Sequence, residues 1–177
     1  MSKQILLVDD DSAVRDAVAQ TLELADLEPI AFSSFVAAKD TICADFEGVV
    51  LSDIRMPGRD GFFLLDYAKS QDPDLPVILL TGEGDVPMAV SAMGQGAFGF
   101  LEKPCAPKDL LAVIERALRT RNIVLENRRL RVLVETGDPA ERMLFGQSEL
   151  SQALRTRVRR VSQLETEVLI MGAPGAG

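Results

Sequence analysis

Short aliphatic runs recur along the first hundred residues, and each closes on a polar group. Ile5-Leu6-Leu7-Val8 precedes Asp9-Asp10-Asp11, Val49-Val50-Leu51-Ser52 precedes Asp53, Val77-Ile78-Leu79-Leu80 precedes Thr81, and Phe98-Gly99-Phe100-Leu101 leads to Lys103. Runs this short and this continuous fit strands buried on both faces of a parallel sheet. They predict strands over residues 5–9, 48–53, 76–81 and 98–101, with a weaker one over 29–32. Between them the apolar spacing turns helical. Ser12 can cap a helix to about Leu24, with Val14, Ala17, Val18, Thr21 and Leu22 on its inner face. Ser33 or Ser34 opens a second helix through Ile42 and Ala44. Pro57, Gly58 and Gly61 force a loop before a third helix over 61–68, and 82–85 turn into a short fourth helix over 86–96. The strict alternation of strand and helix indicates an α/β doubly wound five-stranded parallel sheet with helices on both faces and right-handed crossovers.

The fifth helix, over 107–135 with Pro107 at its first position, is too long for such a domain. Roughly 29 residues extend about 43 Å. Leu111, Leu118, Leu125 and Val132 recur every seven residues, while the companion position holds Ile114, Arg121, Arg128 and Glu135. A solvated helical linker is one reading. A weak two-stranded coiled coil holding a dimer is favoured, because Val124, Leu130, Leu133 and Val134 also need cover. Gly137-Asp138-Pro139 ends the helix, a second amphipathic segment covers 148–161, and 167–171 read as a strand. Gly172, Gly175 and Gly177 then begin the phosphate-cradling pattern G-x-x-x-x-G-K-[S/T], one residue short of its lysine. Glycine pairs arise by chance, but the position directly after an apolar strand favours the truncated start of an ATPase domain that cannot hydrolyse nucleotide as it stands.

Composition narrows the chemistry. With 177 residues, 47% of them apolar, there is material for one domain with something appended. Residues 1–118 carry 9 Lys/Arg against 20 Asp/Glu, a net of −11, whereas 119–177 carry 10 Arg against 7 acids, a net of +3. An acidic body is the wrong sign for nucleic acid, and an Arg-rich tail signals a second job. No apolar run approaches a membrane span, and the N-terminus has no secretory pattern. Cys43 and Cys105 match no metal or redox spacing, so a reducing, cytoplasmic location is expected. Most decisively, there is no histidine. Histidine triads, His-ligated zinc and His acid–base catalysis are excluded, and any phosphohistidine must come from a partner.

In a parallel sheet the polar residues that close the runs meet at the carboxyl edge, where α/β sheets bind ligands. Adjacent carboxylates repel unless a cation joins them, and Asp9, Asp10 and Asp53 form an oxygen set suited to Mg²⁺. Capping of the first helix is the plain alternative for the acidic triplet; it suits Asp11, but it does not account for Asp53 and Lys103 ending neighbouring strands at the same edge. An aspartate between a divalent cation and a lysine suits attack on a phosphoryl group. Lys103 and the cation would stabilise the transferred charge, Thr81 could hydrogen-bond a phosphoryl oxygen, and the Arg55 carbonyl is placed to add a metal ligand.

These residues carry a resemblance. Val8-Asp9-Asp10, the Asp53-to-Gly61 stretch, Thr81-Gly82 and the Gly99-to-Pro104 stretch stand in the order and at the intervals of a response-regulator receiver domain of bacterial two-component signalling, over about residues 1–120. The resemblance implies a flavodoxin-like sheet of order 2-1-3-4-5 and Asp53 as phosphoacceptor. It implies Asp9 and Asp10 as Mg²⁺ carboxylates, Thr81 as switch hydroxyl, Lys103 as phosphoryl contact, Phe100 as switch aromatic and a cis Lys103-Pro104 bond. Residues 107–136 are then the last receiver helix continued as a coiled-coil linker. Residues 144–177 are similar to the opening of the AAA+ ATPase domain in NtrC-family activators, nearest to the regulators of C4-dicarboxylate transport. The implied partners are a sensor histidine kinase, a second copy docked through the fourth helix, fifth strand, fifth helix and linker, and, in the full-length protein only, DNA and sigma-54 RNA polymerase. No membrane is involved. Two other classes are weighed against this. A haloacid-dehalogenase-type phosphatase would use Asp9 as nucleophile, but Ala13 departs from its motif and no cap domain fits. A dimerisation module with a vestigial, unphosphorylated pocket would show no Mg²⁺ response near Asp53.

Overall fold

The computed structural model describes residues 3–82, 86–136 and 149–162. Five parallel strands, β1 (Gln4–Val8), β2 (Glu28–Phe32), β3 (Val49–Asp53), β4 (Val77–Thr81) and β5 (Gly99–Glu102), form one sheet of order β2-β1-β3-β4-β5. The helices are α1 (Ser12–Leu24), α2 (Phe35–Ala38), α3 (Gly61–Gln71), α4 (Val86–Gly94), α5 (Pro107–Thr136) and α6 (Glu149–Ser162). This is the doubly wound, flavodoxin-like arrangement expected from the alternation of elements.

Alternation within each strand builds two cores. Leu6, Val8, Val50, Val77 and Leu79 point to one face, where Phe35, Leu64, Leu65, Ala68 and Ala92 cover them. Ile5, Leu7, Val49, Leu51, Ile78 and Leu80 point to the other, beneath Leu22, Leu110, Ile114, Ala117 and Leu118. Side chains buried on both faces explain why these strands read as continuous apolar runs rather than alternating ones. Chain packing is tightest at Gly48 and Gly61. A Cβ on Gly48 would lie 2.2 Å from the Gln4 carbonyl oxygen, and one on Gly61 would lie 2.4 Å from that of Asp53.

Several expectations give way to tertiary context. Of the two caps the sequence offered for α1, Asp11 and not Ser12 serves, accepting from the amides of Ala13 and Val14. The carboxylate reaches both amides, while Ser12 already has helical geometry. On α1 only Leu22 is fully buried and Ala17 is exposed. Ala13, Val14, Ala17, Val18 and Thr21 line an open groove of about 500 Å³ with Leu80, Lys103, Pro104 and Cys105 rather than a closed core. The second helix does not reach Ala44. After Ala38 the chain closes tighter turns, Thr41 N–H to the Ala38 carbonyl and Ile42 N–H to the Lys39 carbonyl. Asp40 and Thr41 are poor helix formers, and burial of Ile42 and Phe46 pulls the chain inward.

The α5 heptads are also redirected. Ile114, Leu118 and Arg121 are all buried, and Arg121 is 0% exposed. Its guanidinium donates to Asp72 Oδ2 at 2.6 Å, to the Phe46 carbonyl at 2.5 and 3.1 Å, and to the Ala44 carbonyl at 3.1 Å. Leu118 and Arg121 therefore serve their own body and cannot lie in a seam with another chain.

Backbone contacts divide the chain into two compact units, Met1–Asn127 and Arg128–Gly177. Within the second, α6 exposes Leu150, Leu154 and Val158 at helical spacing beside Arg155, Arg157, Arg159 and Arg160. The expected turn at 83–85, the strand at 167–171 and the glycines Gly172, Gly175 and Gly177 lie outside the described residues.

Candidate functional site

Parallel pairing brings the ends of β1, β3 and β4 level: Val8 lies beside Ser52, and Asp53 beside Leu80. Each acidic or cationic residue that follows a strand is thus delivered to one edge. Asp9 is fully buried, Asp53 nearly so and Asp10 exposed, and one oxygen from each lies within 4.8 Å of the others. Lys103 reaches in from beyond β5, 2.6 Å from Asp9 Oδ2 and 3.1 Å from Asp53 Oδ2. The Asp53 carboxyl therefore points into the cluster, as the chemistry requires. The Lys103–Pro104 bond is cis.

Local hydrogen bonds hold these groups in place. Asp9 Oδ1 accepts the Asp11 amide at 3.0 Å, fixing the β1–α1 turn. Behind it, Arg15 donates to the Asp9 carbonyl at 2.7 Å. Sequence reasoning passed over Arg15, although a cation near a helix N-terminus opposes the helix dipole and is itself a sign of a specific partner. The β3–α3 loop is closed by the Gly61 amide donating to the Ile54 carbonyl at 2.9 Å, Gly58 takes φ +82°, and Asp60 caps α3 through the Phe63 amide. The Lys103 amide donates to the Thr81 carbonyl at 2.6 Å, tying the β5–α5 turn to the end of β4.

Electrostatics follow from burial. Loss of hydration pushes the Asp9 carboxyl above its ordinary range; the hydrogen bond and charge of the Lys103 ammonium and the hydrogen bond of the Asp11 amide only partly offset that, and Asp53 adds to the rise. For Lys103, burial alone would lower the pKa, but the Asp9 hydrogen bond and the two facing carboxylates outweigh it and hold the ammonium above its ordinary value. One ammonium against three carboxylates leaves an unbalanced negative pocket. Its donors are all hard oxygens, few in number and partly open to water, a set that fits Mg²⁺ better than a softer ion. It is the only such cluster found among the described residues.

The other expected site residues are placed less directly. Thr81 is buried at the end of β4, and its hydroxyl lies 3.4 Å from the Gly82 carbonyl oxygen. Phe100 is half-buried on β5, paired with Leu79. Arg55 lies exposed in the loop two residues beyond Asp53.

An acidic pocket with an inward lysine at the carboxyl edge of a 2-1-3-4-5 sheet defines a class, and the model of the response regulator receiver domain matches residues 5–115. The chain belongs to that family. Within it, the chain is similar to the N-terminal part of NtrC-type proteins. It is 47% identical over 174 residues to the C4-dicarboxylate transport transcriptional regulatory protein DctD of Pseudomonas aeruginosa, covering 98% of this chain and 38% of that protein. It is 35% identical to the DNA-binding transcriptional regulator NtrC of Klebsiella pneumoniae, covering 97% of this chain and 35% of that one. Among solved structures it resembles NtrX from Brucella abortus in complex with ATP, with TM-score 0.67, 35% identity and 92% of this chain against 35% of that one. A response regulator receiver domain protein from Clostridium thermocellum gives TM-score 0.65 and 32% identity over 70% of this chain and 99% of that one. The chain thus spans about two fifths or less of the length of these longer relatives. Response regulators take phosphoryl groups from histidine kinases, and receivers as a class bind Mg²⁺ at the acidic pocket. No helix among the described residues is long and apolar enough to cross a membrane.

Proposed function

We propose that Asp53 is the phosphoacceptor of this receiver and that its phosphorylation governs a downstream ATPase. The observation that carries the reading is the placement of Asp53 Oδ2 3.1 Å from the Lys103 ammonium, inside the oxygen cluster of Asp9 and Asp10. An Asp53 carboxylate oxygen attacks the phosphorus of a phosphohistidine, the P–N bond breaks, and the imidazole leaves and takes a proton. The donor histidine is the kinase's, since this chain has none. Lys103 lies close enough to Asp53 to neutralise charge on the transferred oxygens, at a low-dielectric edge where that counts for more than in water. Asp9, Asp10, Asp53 and the Arg55 carbonyl would hold Mg²⁺, which when bound supplies further charge neutralisation on the phosphoryl oxygens. The groove between α1 and the β5–α5 turn opens beside Lys103.

Once phosphorylated, Asp53 presents acceptors that Thr81 can meet by turning inward, and Phe100 follows into the space it leaves. The α4–β5–α5 surface then changes, and with it the pairing of two chains through that face and the linker. Phosphorylation need only favour one state: a few kcal/mol moves such an equilibrium from one side to the other. Residues 107–136 act as receiver helix and linker, and 144–177 as the start of an AAA+ domain whose glycines Gly172, Gly175 and Gly177 begin a P-loop. In the full-length protein that domain engages sigma-54 RNA polymerase and a further part binds DNA. The similarity to DctD and NtrC along nearly the whole chain supports this assignment.

Acetyl phosphate with Mg²⁺ tests the reading. Intact-mass analysis is expected to show one phosphoryl group on the chain and none on Asp53→Asn. Equal labelling of Asp53→Asn, or labelling mapped to Asp9, would overturn it and favour a phosphatase-type nucleophile.

A further inference from the structure

The turn that joins β1 to α1 has to aim two adjacent carboxylates, Asp9 and Asp10, at one cluster with Asp53. Like charges this close drive each other apart unless the backbone beneath them is fixed. Three peptide groups make up the turn, and each is planar, so a bond to one atom limits how the whole group rotates. The first is held by the Asp9 amide, which donates to the Phe32 carbonyl at 3.1 Å. The last is held by the Asp11 amide, which donates to Asp9 Oδ1 at 3.0 Å. The middle group, linking Asp9 to Asp10, is held from behind by Arg15. Its Nη1 lies 2.7 Å from the Asp9 carbonyl oxygen, with a longer contact of 3.5 Å to that of Asp10.

The two acids do not depend on this hold equally. Asp9 is buried, and its oxygens are engaged by Lys103 and the Asp11 amide. Asp10 is exposed, so the direction of its carboxylate follows the backbone more closely. Helix α1 itself gains nothing from the arrangement. A cation in the first turn opposes the helix dipole, and an acidic residue would suit that position better.

We propose that Arg15 is a positioning residue for the metal pocket: by holding the Asp9–Asp10 peptide group it keeps the Asp10 carboxylate turned towards Asp9 and Asp53, and so raises the affinity for a divalent cation. This rests on the pocket being the Mg²⁺ site of a phosphoacceptor. Arg15 is no ligand itself, since a guanidinium has no acceptor to offer. It acts through main-chain oxygens, on the side of the turn that carries the carbonyls rather than the carboxylates.

Mn²⁺ provides the test, because it is a hard dication with the same preference for carboxylate and water oxygens, and its free form is counted directly by electron paramagnetic resonance. The 177-residue chain is compared with Arg15→Met, Asp10→Ala, the double variant, and Arg119→Met, which removes an equal charge from an exposed position on α5. Metal-free circular dichroism checks that each is folded. Arg15→Met is expected to bind Mn²⁺ about tenfold more weakly than the parent, the loss usual when a group that orients a metal ligand is removed. Arg119→Met should stay within about twofold, since a distant exposed charge is screened. In the Asp10→Ala background, Arg15→Met should cost less than about threefold, because the carboxylate it aims is gone. Equal affinity of parent and Arg15→Met, or a loss matched by Arg119→Met, would overturn the proposal and leave the pocket standing as a metal site. An undiminished loss in the Asp10→Ala background would overturn it too, since Arg15 would then act by another route. A parent chain that binds no Mn²⁺ removes both. If Arg15→Met does not fold, Arg15→Gln, shorter and uncharged, takes its place on the same terms.

Discussion

Arg121 ties α5 to the rest of the receiver body, and its removal has a calculable cost. Its guanidinium is fully buried and makes four contacts, the closest charged one to Asp72 at 2.6 Å, and Asp72 is itself only 2% exposed. Arg121→Ala takes the guanidinium from that carboxylate, which keeps the Asp74 amide and the field of Lys69, and removes its hydrogen bonds to the Phe46 and Ala44 carbonyls. Removing one partner of a buried pair costs about 3–5 kcal/mol, and the stranded carbonyls add to it, so a loss of about 4–6 kcal/mol is expected. Against the roughly 5–15 kcal/mol that holds a domain folded, this places the variant near the edge of stability. At about 4 °C per kcal/mol for a domain of this size, the melting temperature should fall by about 15–25 °C. Urea unfolding followed by circular dichroism measures it, with the slope checking that unfolding stays two-state. Arg121→Lys should recover only part, since one ammonium cannot serve a carboxylate and two carbonyls with a fork's geometry. The double variant Arg121→Met with Asp72→Leu removes both charges, and should return most of the lost stability because the desolvation cost goes with them. A loss below about 1 kcal/mol in Arg121→Ala, or a double variant no better than the single one, would refute the reasoning.

Other measurements bear on the pocket itself. Mg²⁺ should raise the melting temperature, by about 10 °C at a hundredfold excess over its dissociation constant, and Asp10→Ala should abolish most of that shift while leaving the metal-free melting temperature near its starting value. In metal-free buffer, the folded-state rise of Asp9 above 3.8 means its ionised form opposes folding. Stability should therefore improve as pH falls through the folded value towards 3.8, and Asp9→Asn should melt higher than the parent at neutral pH and lose that slope. Lys103 shifts the opposite way: its raised pKa contributes stability at every pH below 10.5 and is lost only above it, so Lys103→Met should flatten the alkaline limb of the pH–stability curve. Gly61→Ala should cost about 1–3 kcal/mol, because its Cβ would meet the Asp53 carbonyl oxygen at 2.4 Å, and should also slow phosphorylation by displacing Asp53.

Much of this site is legible without coordinates because the strand period is so short. Once a run such as Val49 to Ser52 is read as a buried parallel strand, the residue that ends it is committed to the carboxyl edge, and Asp9, Asp53, Thr81 and Lys103 each follow such a run or close one. The choice between Asp11 and Ser12, both of which the sequence offered as caps of α1, and the early end of α2 at Ala38 were not decided in that way. Both depend on which neighbour reaches an amide or carbonyl first, and propensity differences there are smaller than one good hydrogen bond. Arg15 shows the same limit in part: its place against the helix dipole hints at a partner, but that partner is a backbone oxygen that no side-chain pattern identifies.

What the sequence by itself determined is the class of fold and the meeting of acids and lysine at one edge, since both follow from the order of apolar runs and the period of the elements between them. What only the tertiary structure decided is the use of α5. Its sequence offers one apolar line, Leu111, Leu118, Leu125 and Val132, with other aliphatics around it, and heptad counting cannot say which of them are already buried. Packing of Ile114 and Leu118 on the sheet, and of Arg121 on Asp72, turned the helix and left Ile123 and Leu130 facing out. A local pattern lists the faces a helix can present; the rotation that selects one is set by contacts with residues 49 and 75 positions away in the chain.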